Sequence, residues 1–384
     1  MTTTINNEHK KLNVPNLRFP EFQGEWEKCK LGDYGKVVTG NTPPTKDIEN
    51  YENGTYLWAS PADLGTIKSI TETKTMLSVK GFSKTRTLPK GSVLVTCIGS
   101  TIGKTGMATK EMSTNQQINS IVVNDNNDNE FVYYAIQSAF PRYLSSIAVQ
   151  AVPIISKSAF ELLPNKRPCL QEQKRIGKFL SLLDERISTQ NKIIEDLKKL
   201  KSAITDLLFH SIADAHTIRL GKIAHITNGA GDVQDANTEH QEDWYPFFDR
   251  SEELKWFPTY SFDKEAVIYA GEGQSFYPRY YNGKFALHQR CYAITDFASC
   301  IIPKYCYHFM NTLNSYFVRN SVGSTVPSLR MDIFQKVEIR LPPIPKQQHI
   351  CKIIDAFYTK LEVEQRGISI LQELKQFLLS QMFI

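Results

Sequence analysis

The sequence lacks the features that define several whole classes of protein. No apolar run approaches the roughly 20 residues that a helix needs to cross a bilayer. Residues 1–11 are polar, which predicts neither a secretion signal nor a lipid anchor. The seven cysteines are odd in number and scattered, a pattern that favours reduced thiols over a disulfide framework. We therefore expect a cytoplasmic protein with no membrane partner.

Catalytic signatures are also missing. There is no Asn-Pro-Pro-Tyr/Phe or Asp-Pro-Pro-Tyr/Phe run, and no Gly-x-Gly opening of a cofactor-binding βαβ unit. The run Gly99-Ser-Thr-Ile-Gly-Lys104-Thr105 is one residue short of a phosphate-binding loop, so we interpret it as a glycine-rich turn with a lysine available to a phosphate. Cys300, Cys306 and His308 suggest zinc. In the helix predicted there, however, Cys306 and His308 are two positions apart and face different ways, which argues against a metal site.

The basic residues are unevenly distributed. Residues 73–110 contain seven Lys or Arg and no acid, and residues 273–331 contain six with Asp296 as the only acid. Such separation suggests two basic surfaces able to meet a polyanion, in a chain of net charge +5. Solvated loops with a chance bias are the alternative that the charge pattern alone leaves open.

The chain contains an internal repeat of about half its length. Its later parts align at a constant offset of 174 positions, and its earlier parts align at 189. The first half holds about 16 extra residues, because Leu64 and Val93 are 29 positions apart whereas Leu254 and Val267 are 13 apart. The matches include Lys30-Leu31-Gly32 with Arg219-Leu220-Gly221, Val152-Pro153 with Val326-Pro327, Phe160 with Phe334, Gln173 with Gln347, and Phe209 with Phe383. A repeat of this kind is typical of a scaffold that presents two different recognition surfaces.

Each half begins with strand-like segments and ends with a long amphipathic helix. Short apolar runs between turns predict strands at 91–98, 118–123, 266–269 and 291–294, and longer ones predict helices at 131–144 and 301–318. Near-heptad apolar stripes predict helices over 176–209 and 350–383. A helix of 34 residues is about 51 Å long. Because so narrow a stripe needs a partner, we expect the two copies to form an antiparallel coiled coil.

These features resemble the specificity subunit of type I restriction-modification enzymes, over about residues 17–384. The resemblance is in two variable domains, each followed by a helix that is entered through a Pro-rich turn and a Gln. The quoted runs are Pro168-Cys-Leu-Gln-Glu-Gln-Lys-Arg-Ile176, Pro342-Pro-Ile-Pro-Lys-Gln-Gln-His-Ile350, Trp26-Glu-Lys-Cys-Lys-Leu-Gly32, residues 91–103 followed by Asn115-Gln116, and Glu272-Gly273 followed by His288-Gln289-Arg290. The second half departs from the pattern at Lys346, which replaces Glu172, and at His288, which stands in place of Asn115.

The resemblance implies an α+β fold, in which two α/β target-recognition domains in pseudo-two-fold repeat are joined by two long antiparallel helices. The expected divisions are a polar tail 1–16, a first domain 17–165, a central helical spacer 166–212, a second domain 213–340 and a C-terminal helical spacer 341–384. Each domain would read half of a split site in double-stranded DNA. The helices would set the spacing and dock two modification (methyltransferase) subunits, and restriction (endonuclease and translocase) subunits would join that core.

The resemblance further implies a non-catalytic chain that binds no cofactor or metal, with S-adenosylmethionine, ATP and Mg²⁺ belonging to the partner subunits. Arg and Lys suit guanine and phosphate, whereas Asn and Gln suit adenine. The predicted DNA-binding residues are Lys84, Arg86, Lys104, Asn115, Gln116, Gln117, Arg279, Lys284, His288, Gln289, Arg290 and Arg330. Two other classes stay open at this point: a stand-alone two-domain nuclease or methyltransferase, and a protein scaffold that never touches DNA.

Overall fold

The computed structural model describes residues 13–65, 67–146, 154–210, 215–323 and 325–384. It divides the chain into two compact units, each built around its own core. Unit 1 is Met1–Asn191 with Arg366–Ile384, and unit 2 is Lys192–Gln365. The repeated pair Val152-Pro153 and the first 12 residues of the predicted tail lie outside the described residues.

The described part of unit 1 and of the helix that leaves it has the following elements. Its strands are β1 (Glu27–Lys30), β2 (Gly35–Thr39), β3 (Tyr56–Ala59), β4 (Ser69–Ile70), β5 (Thr75–Leu77), β6 (Val93–Thr96), β7 (Thr105–Ala108), β8 (Ser113–Thr114), β9 (Ile118–Val123) and β10 (Pro164–Arg167). Its helices are α1 (Val79–Ser83), α2 (Asn129–Ser146), α3 (Lys157–Glu161) and the long α4 (Leu170–His210).

Unit 2 repeats this order with fewer short strands. Its strands are β11 (His216–Arg219), β12 (His225–Asn228), β13 (Tyr245–Phe248), β14 (Lys255–Phe257), β15 (Phe262–Ala270), β16 (Arg279–Leu287), β17 (Cys291–Thr295) and β18 (Glu338–Leu341). The helices that follow are α5 (Pro303–Asn311), α6 (Asn314–Asn320), α7 (Met331–Gln335) and the long α8 (Ile344–Met382).

The two units share one antiparallel framework. The strand order β2-β9-β6-β7 in unit 1 corresponds to β12-β17-β15-β16 in unit 2. Each unit also joins its first and last strands in the same register, Glu27 opposite Arg167 and His216 opposite Leu341. These pairs keep the offsets of 189 and 174, so the internal repeat is confirmed as a structural repeat.

The units differ in the strand that follows β6 and β15, and in the connection where the sequence predicts the extra residues. In unit 2 the nine-residue β16 pairs with β15 and continues alongside β13, which gives one six-stranded sheet. In unit 1 the equivalent stretch is broken into β7 and β8, and β8 joins β3 and β5 in a separate three-stranded sheet. The longer connection from β3 to β6 carries β4, β5 and α1, whereas the connection from β13 to β15 carries β14.

Two helix predictions need correction. The helix predicted over 301–318 is two helices, α5 and α6, because the Thr312 hydroxyl donates to the Phe309 carbonyl and Leu313 closes the last turn of α5. The long helices α4 and α8 begin six residues earlier than predicted, at Leu170 and Ile344. Pro345 lies in the first turn of α8, where no backbone donor is required.

The long helices contact each other within each unit. In unit 1, Lys375 of α8 forms an ion pair of 2.7 Å with Asp184 of α4. In unit 2, the ammonium group of Lys201 on α4 lies 4.1 Å from the ring centroid of Tyr358 on α8. The beginning of α4 thus meets the end of α8, and the end of α4 meets the beginning of α8, which is the predicted antiparallel order.

A buried glutamine attaches each long helix to its domain. The Gln173 side chain donates to the Pro168 carbonyl (3.0 Å) and accepts from the Asp128 amide at the entry to α2 (3.1 Å). Gln347 donates to the Pro342 carbonyl (2.9 Å) and accepts from the Ile302 amide at the entry to α5 (2.9 Å). Both glutamines are fully buried. The Gln of the Pro-rich turn therefore fixes where each helix leaves its domain.

Candidate nucleic-acid interface

In unit 1, three chain segments meet at one end of the sheets. We call residues 115–117 loop L1; it lies between β8 and β9. The backbone amide of Asn115 donates to the Ala59 carbonyl at the end of β3 (2.9 Å). The backbone amide of Gly40, just after β2, donates to the Ile118 carbonyl (3.1 Å). Loop L1 is thus held between the ends of two neighbouring strands.

Unit 2 builds the same arrangement around residues 288–290, which we call loop L2. The His288 amide donates to the Phe248 carbonyl at the end of β13 (2.9 Å), and the Gly229 amide donates to the Cys291 carbonyl (3.2 Å). The bonds match those of loop L1 one for one, with the strand-end partners offset by 189 positions and the loop residues by 173, one position fewer than in the flanking segments. Loops L1 and L2 are therefore equivalent positions of the duplicated fold.

Both loops require a glycine beside them. A Cβ atom on Gly40 would lie 2.2 Å from the Thr114 carbonyl oxygen, and one on Gly229 would lie 2.0 Å from the Leu287 carbonyl oxygen. These distances are far below van der Waals contact, so any side chain would push the loop away from its strand.

The first residue of each loop shapes the backbone. The Asn115 side-chain oxygen accepts from the Gln117 amide (3.0 Å), and its amide nitrogen donates to the Gln117 side-chain oxygen (3.0 Å). In loop L2, His288 Nδ1 accepts from the Arg290 amide (3.2 Å). Imidazole thus makes the same turn-closing bond as asparagine, which explains how His288 replaces Asn115. Contact of either side chain with DNA stays a prediction.

The next two residues of each loop present polar side chains outward. Gln116 and Gln289 are exposed at the middle position. At the third position Gln117 is half-buried and Arg290 is exposed, with a guanidinium–carboxylate ion pair of 2.8 Å to Glu272. The structure therefore brings six of the predicted residues into two equivalent groups of three.

The other predicted residues of unit 1 are distributed around loop L1. The Arg86 guanidinium donates to the Thr39 carbonyl at the end of β2 (2.8 Å), close to Gly40. Lys104 is exposed, and its aliphatic carbons lie against Gly65. Lys84 forms an ion pair of 3.0 Å with Asp47. The acid-free stretch is thus partly neutralised by an acid that precedes it in sequence.

In unit 2, Arg279 and Lys284 are tied to neighbouring groups. Arg279 donates to the backbone carbonyls of Asp249 (3.1 Å) and Ser251, and therefore holds that turn in place. The Lys284 ammonium lies 4.7 Å from the ring centroid of Tyr260, while its side chain stays exposed. Arg330 is exposed at the start of α7. Among the described residues, none of these three side chains forms a hydrogen bond or ion pair with loop L2.

A cleft of about 530 Å³ opens beside loop L2. Its lining includes all three loop residues together with charged groups that sequence reasoning missed, Asp249 and Lys255. Asp249 is 4% exposed and pairs with Lys255 at 2.7 Å, so a largely buried ion pair forms part of the cleft wall. Glu272, which follows this pair in the chain, also lines the cleft. Of these charged residues, only Glu272 was named from the sequence, as part of the Glu272-Gly273 run of the family pattern.

The thiols near these loops are poor nucleophiles. Burial raises the pKa of Cys97 to about 12 and the pKa of Cys291, next to Arg290, to about 11, so both are protonated at neutral pH. His308, the histidine of the Cys300–His308 segment, is buried and pairs with Asp355 at 3.0 Å. Across the described ranges, no group of three His, Cys, Asp or Glu residues is placed to hold a metal.

Residues 97–104, which include most of the run 99–105, connect the antiparallel strands β6 and β7. This position agrees with the interpretation of a glycine-rich turn, since Gly99 and Gly103 both adopt positive φ. In the aromatic run 244–248, Phe247 and Phe248 are buried core residues. None of the helices that the structure describes combines the length and apolarity of a membrane span.

Comparison with known proteins gives consistent matches over most of the chain. The family model for the type I restriction modification DNA specificity domain matches twice, at residues 23–199 and 213–376. The chain is 24% identical to the MjaIX specificity subunit of Methanocaldococcus jannaschii, over 93% of this chain and 92% of that one. It is 30% identical to the HindI specificity subunit of Haemophilus influenzae, over 46% of this chain and 39% of that one.

A crystal structure of the type I restriction-modification S subunit from M. genitalium has a similar fold. Its TM-score is 0.66 at 18% identity, and the match covers 97% of this chain and 99% of the other. The α+β architecture with two long helices is thus shared with a solved protein. Since both matches of the family model together span most of the sequence, the chain belongs to the family of type I restriction-modification DNA specificity proteins and carries two copies of its domain.

Proposed function

We propose that this chain is the DNA-recognition subunit of a type I restriction-modification complex, and that each domain reads one half of a split, asymmetric site. One observation carries the proposal: the same framework occurs twice and presents loops of different sequence, L1 and L2, at equivalent positions. Sequence is read by side chains at base edges, while Lys and Arg at phosphates supply affinity. Two different loops on one framework suit two different half-sites.

The long helices supply the spacing and the docking surface for partners. Several large apolar side chains on α4 and α8 stay exposed, which is typical of surfaces that another protein covers. They are Phe179, Leu182, Ile370, Leu374 and Phe377 in unit 1, and Leu200 and Val363 in unit 2. We assign these helices to two modification subunits, with restriction subunits joining the resulting core. S-adenosylmethionine, ATP and Mg²⁺ belong to those partners, and this chain carries out no chemistry itself.

The test is to map methylated adenines in cells that express this chain with its modification partner. A split motif is expected, and replacing residues 20–165 by another variable domain should change only the first half of it. The matched control replaces the second domain and should change only the second half. The proposal fails if the purified chain alone methylates or cuts DNA, or if the motif survives both replacements unchanged.

A further inference from the structure

Loops L1 and L2 can be compared position by position, and the comparison isolates one residue in each. The first position, Asn115 or His288, closes the turn by accepting from the amide two residues on. The middle position is glutamine in both loops, Gln116 and Gln289, so it cannot distinguish two different half-sites. The third position differs, and it carries Gln117 in one loop and Arg290 in the other.

The Arg290 guanidinium is held on one side and keeps one edge available for a bidentate contact. Its Nη1 atom donates to Glu272 Oε1 (2.8 Å), and the arginine side chain is 66% exposed while the glutamate is 21% exposed. Among the described residues this pair engages Nη1, and the Nε–Nη2 edge of the exposed guanidinium forms no hydrogen bond or ion pair. That edge offers two parallel donors, the pattern that the O6 and N7 atoms of guanine accept.

Glu272 occurs only in the half that has the arginine. It pairs with Ser328 in an isolated bridge, and the equivalent bridge in unit 1 joins Ile98 with Ile154. In unit 1, where the third position of the loop is Gln117, the position equivalent to Glu272 is therefore the aliphatic residue Ile98. The residues at these two sites therefore change together, from Gln117 with Ile98 to Arg290 with Glu272.

Gln117 is held by a different neighbour. Its side-chain oxygen accepts from the Asn115 amide group (3.0 Å), and its Nε2 lies 3.8 Å from where a Cβ on Gly99 would stand. The glycine-rich turn therefore leaves room beside the Gln117 amide. A glutamine amide can both donate to adenine N7 and accept from adenine N6.

We propose that the third loop position is the base-reading residue of each domain, with Arg290 reading a guanine in the second half-site and Gln117 an adenine in the first. Glu272 and Asn115 are positioning residues that orient these side chains. The inference rests on the proposed function and adds to it the identity of one reader and one base in each half-site.

The decisive experiment exchanges the two readers within the complex formed with the modification partner. The double variant R290Q/E272I is assayed on a library in which each base of the second half-site is varied. At one base position, the preference for guanine over adenine should fall by roughly 10- to 100-fold, and the first half-site should stay unchanged. The reciprocal variant Q117R/I98E should gain a guanine preference in the first half-site.

The variant R290K separates base reading from phosphate binding. Lysine replaces arginine well as a point charge at a phosphate, but it lacks the planar fork that matches guanine. Base reading predicts that R290K loses guanine preference while it keeps the salt dependence of binding. If R290K behaves like the wild type, and R290Q weakens binding equally for every sequence, Arg290 contacts a phosphate and the inference is wrong.

A milder variant, E272Q, tests the positioning residue without removing a side chain. It should weaken the preference at the same base position that R290Q alters, and an unchanged preference there overturns the role given to Glu272. The wild-type motif separates the two levels of the argument. Absence of any split motif in the wild type contradicts the proposed function, whereas a split motif that the exchanges leave intact contradicts only the identity of the readers.

Discussion

The two domains share their framework but differ in how the start of each long helix is secured. In unit 1, Glu172 is buried and accepts from both Nε and Nη2 of Arg18 (2.8 and 2.7 Å), and the Trp26 indole donates to it at 3.3 Å. In unit 2 the equivalent residue is Lys346, which is exposed. Glu172 is buried in unit 1, whereas its equivalent Lys346 is exposed in unit 2. The contacts of Glu172 are therefore specific to unit 1 and are not part of the framework that the two units share.

That attachment involves the residues in front of the first domain. The Leu17 amide donates to the Gln381 carbonyl (2.9 Å), and the Trp26 amide donates to the Asn13 carbonyl (2.8 Å). Residues 13–16, predicted as part of a polar tail, therefore contact folded parts of unit 1. The end of α8 is thus hydrogen-bonded to the segment before β1 in unit 1, whereas in unit 2 the segment before β11 follows α4 in the chain.

The largest expected loss of folding stability in this comparison follows from replacing Glu172. E172A leaves Arg18 without its carboxylate in a mostly buried place, and loss of one partner of such a pair costs about 3 kcal/mol of stability. K346A, at the equivalent exposed position, should change stability by less than about 0.5 kcal/mol. Equilibrium urea unfolding measures both, and hydrogen exchange assigns the loss to unit 1. Equal effects of the two substitutions would contradict the asymmetry.

A smaller effect, equal in the two domains, is expected at the shared glutamines. Q173A and Q347A each remove three hydrogen-bonding contacts in a fully buried place, and an unsatisfied buried group costs about 2 kcal/mol. Each substitution should destabilise its own unit by about that amount. Q289A, at an exposed glutamine, is the control and should be nearly neutral in urea unfolding. A large effect in only one unit would mean that the two attachments are not equivalent.

Local patterns and the repeat predicted much of the fold. The heptad stripes predicted α4 and α8 and their antiparallel pairing, and the short apolar runs predicted β6, β9, β15 and β17. The break between α5 and α6 was missed, because it depends on side-chain bonds to the backbone at Thr312 that leave no trace in the apolar pattern. The early starts of both long helices were missed because prolines at their entries indicated turns.

The candidate site was less predictable, since its geometry depends on pairs distant in sequence. Runs free of acid predicted two basic surfaces, yet Lys80 and Lys84 pair with Asp47, more than 30 positions earlier. The residue types at 115–117 and 288–290 were predicted from the family pattern, but the division between a turn-closing residue and exposed ones needed the hydrogen bonds. Whether any of the 12 predicted residues touches DNA stays a prediction.

The smallest expected effect concerns one pair of equivalent residues that respond differently to pH. Tyr134 on α2 donates to Asp184 on α4 (2.6 Å), and at the matching position His308 on α5 pairs with Asp355 on α8 (3.0 Å). Burial raises the pKa of Tyr134 above its ordinary value, so it stays neutral. Burial lowers the pKa of His308, against the opposing effect of Asp355.

The pKa of His308 is lower in the folded protein than in the unfolded chain. The stability that neutral His308 contributes is therefore fully present above about pH 6.5, the pKa of an unperturbed histidine. That contribution is lost as the pH falls below this value toward the lower folded pKa. Urea unfolding at pH 7.5 and 5.5 should therefore show a loss in unit 2 that H308Q reduces, since glutamine can still donate to Asp355 but does not titrate. Unit 1 supplies the internal control, because Tyr134 does not change charge over this interval. If H308Q and the wild type lose the same stability, other groups cause the pH dependence and this difference between the domains has no energetic consequence.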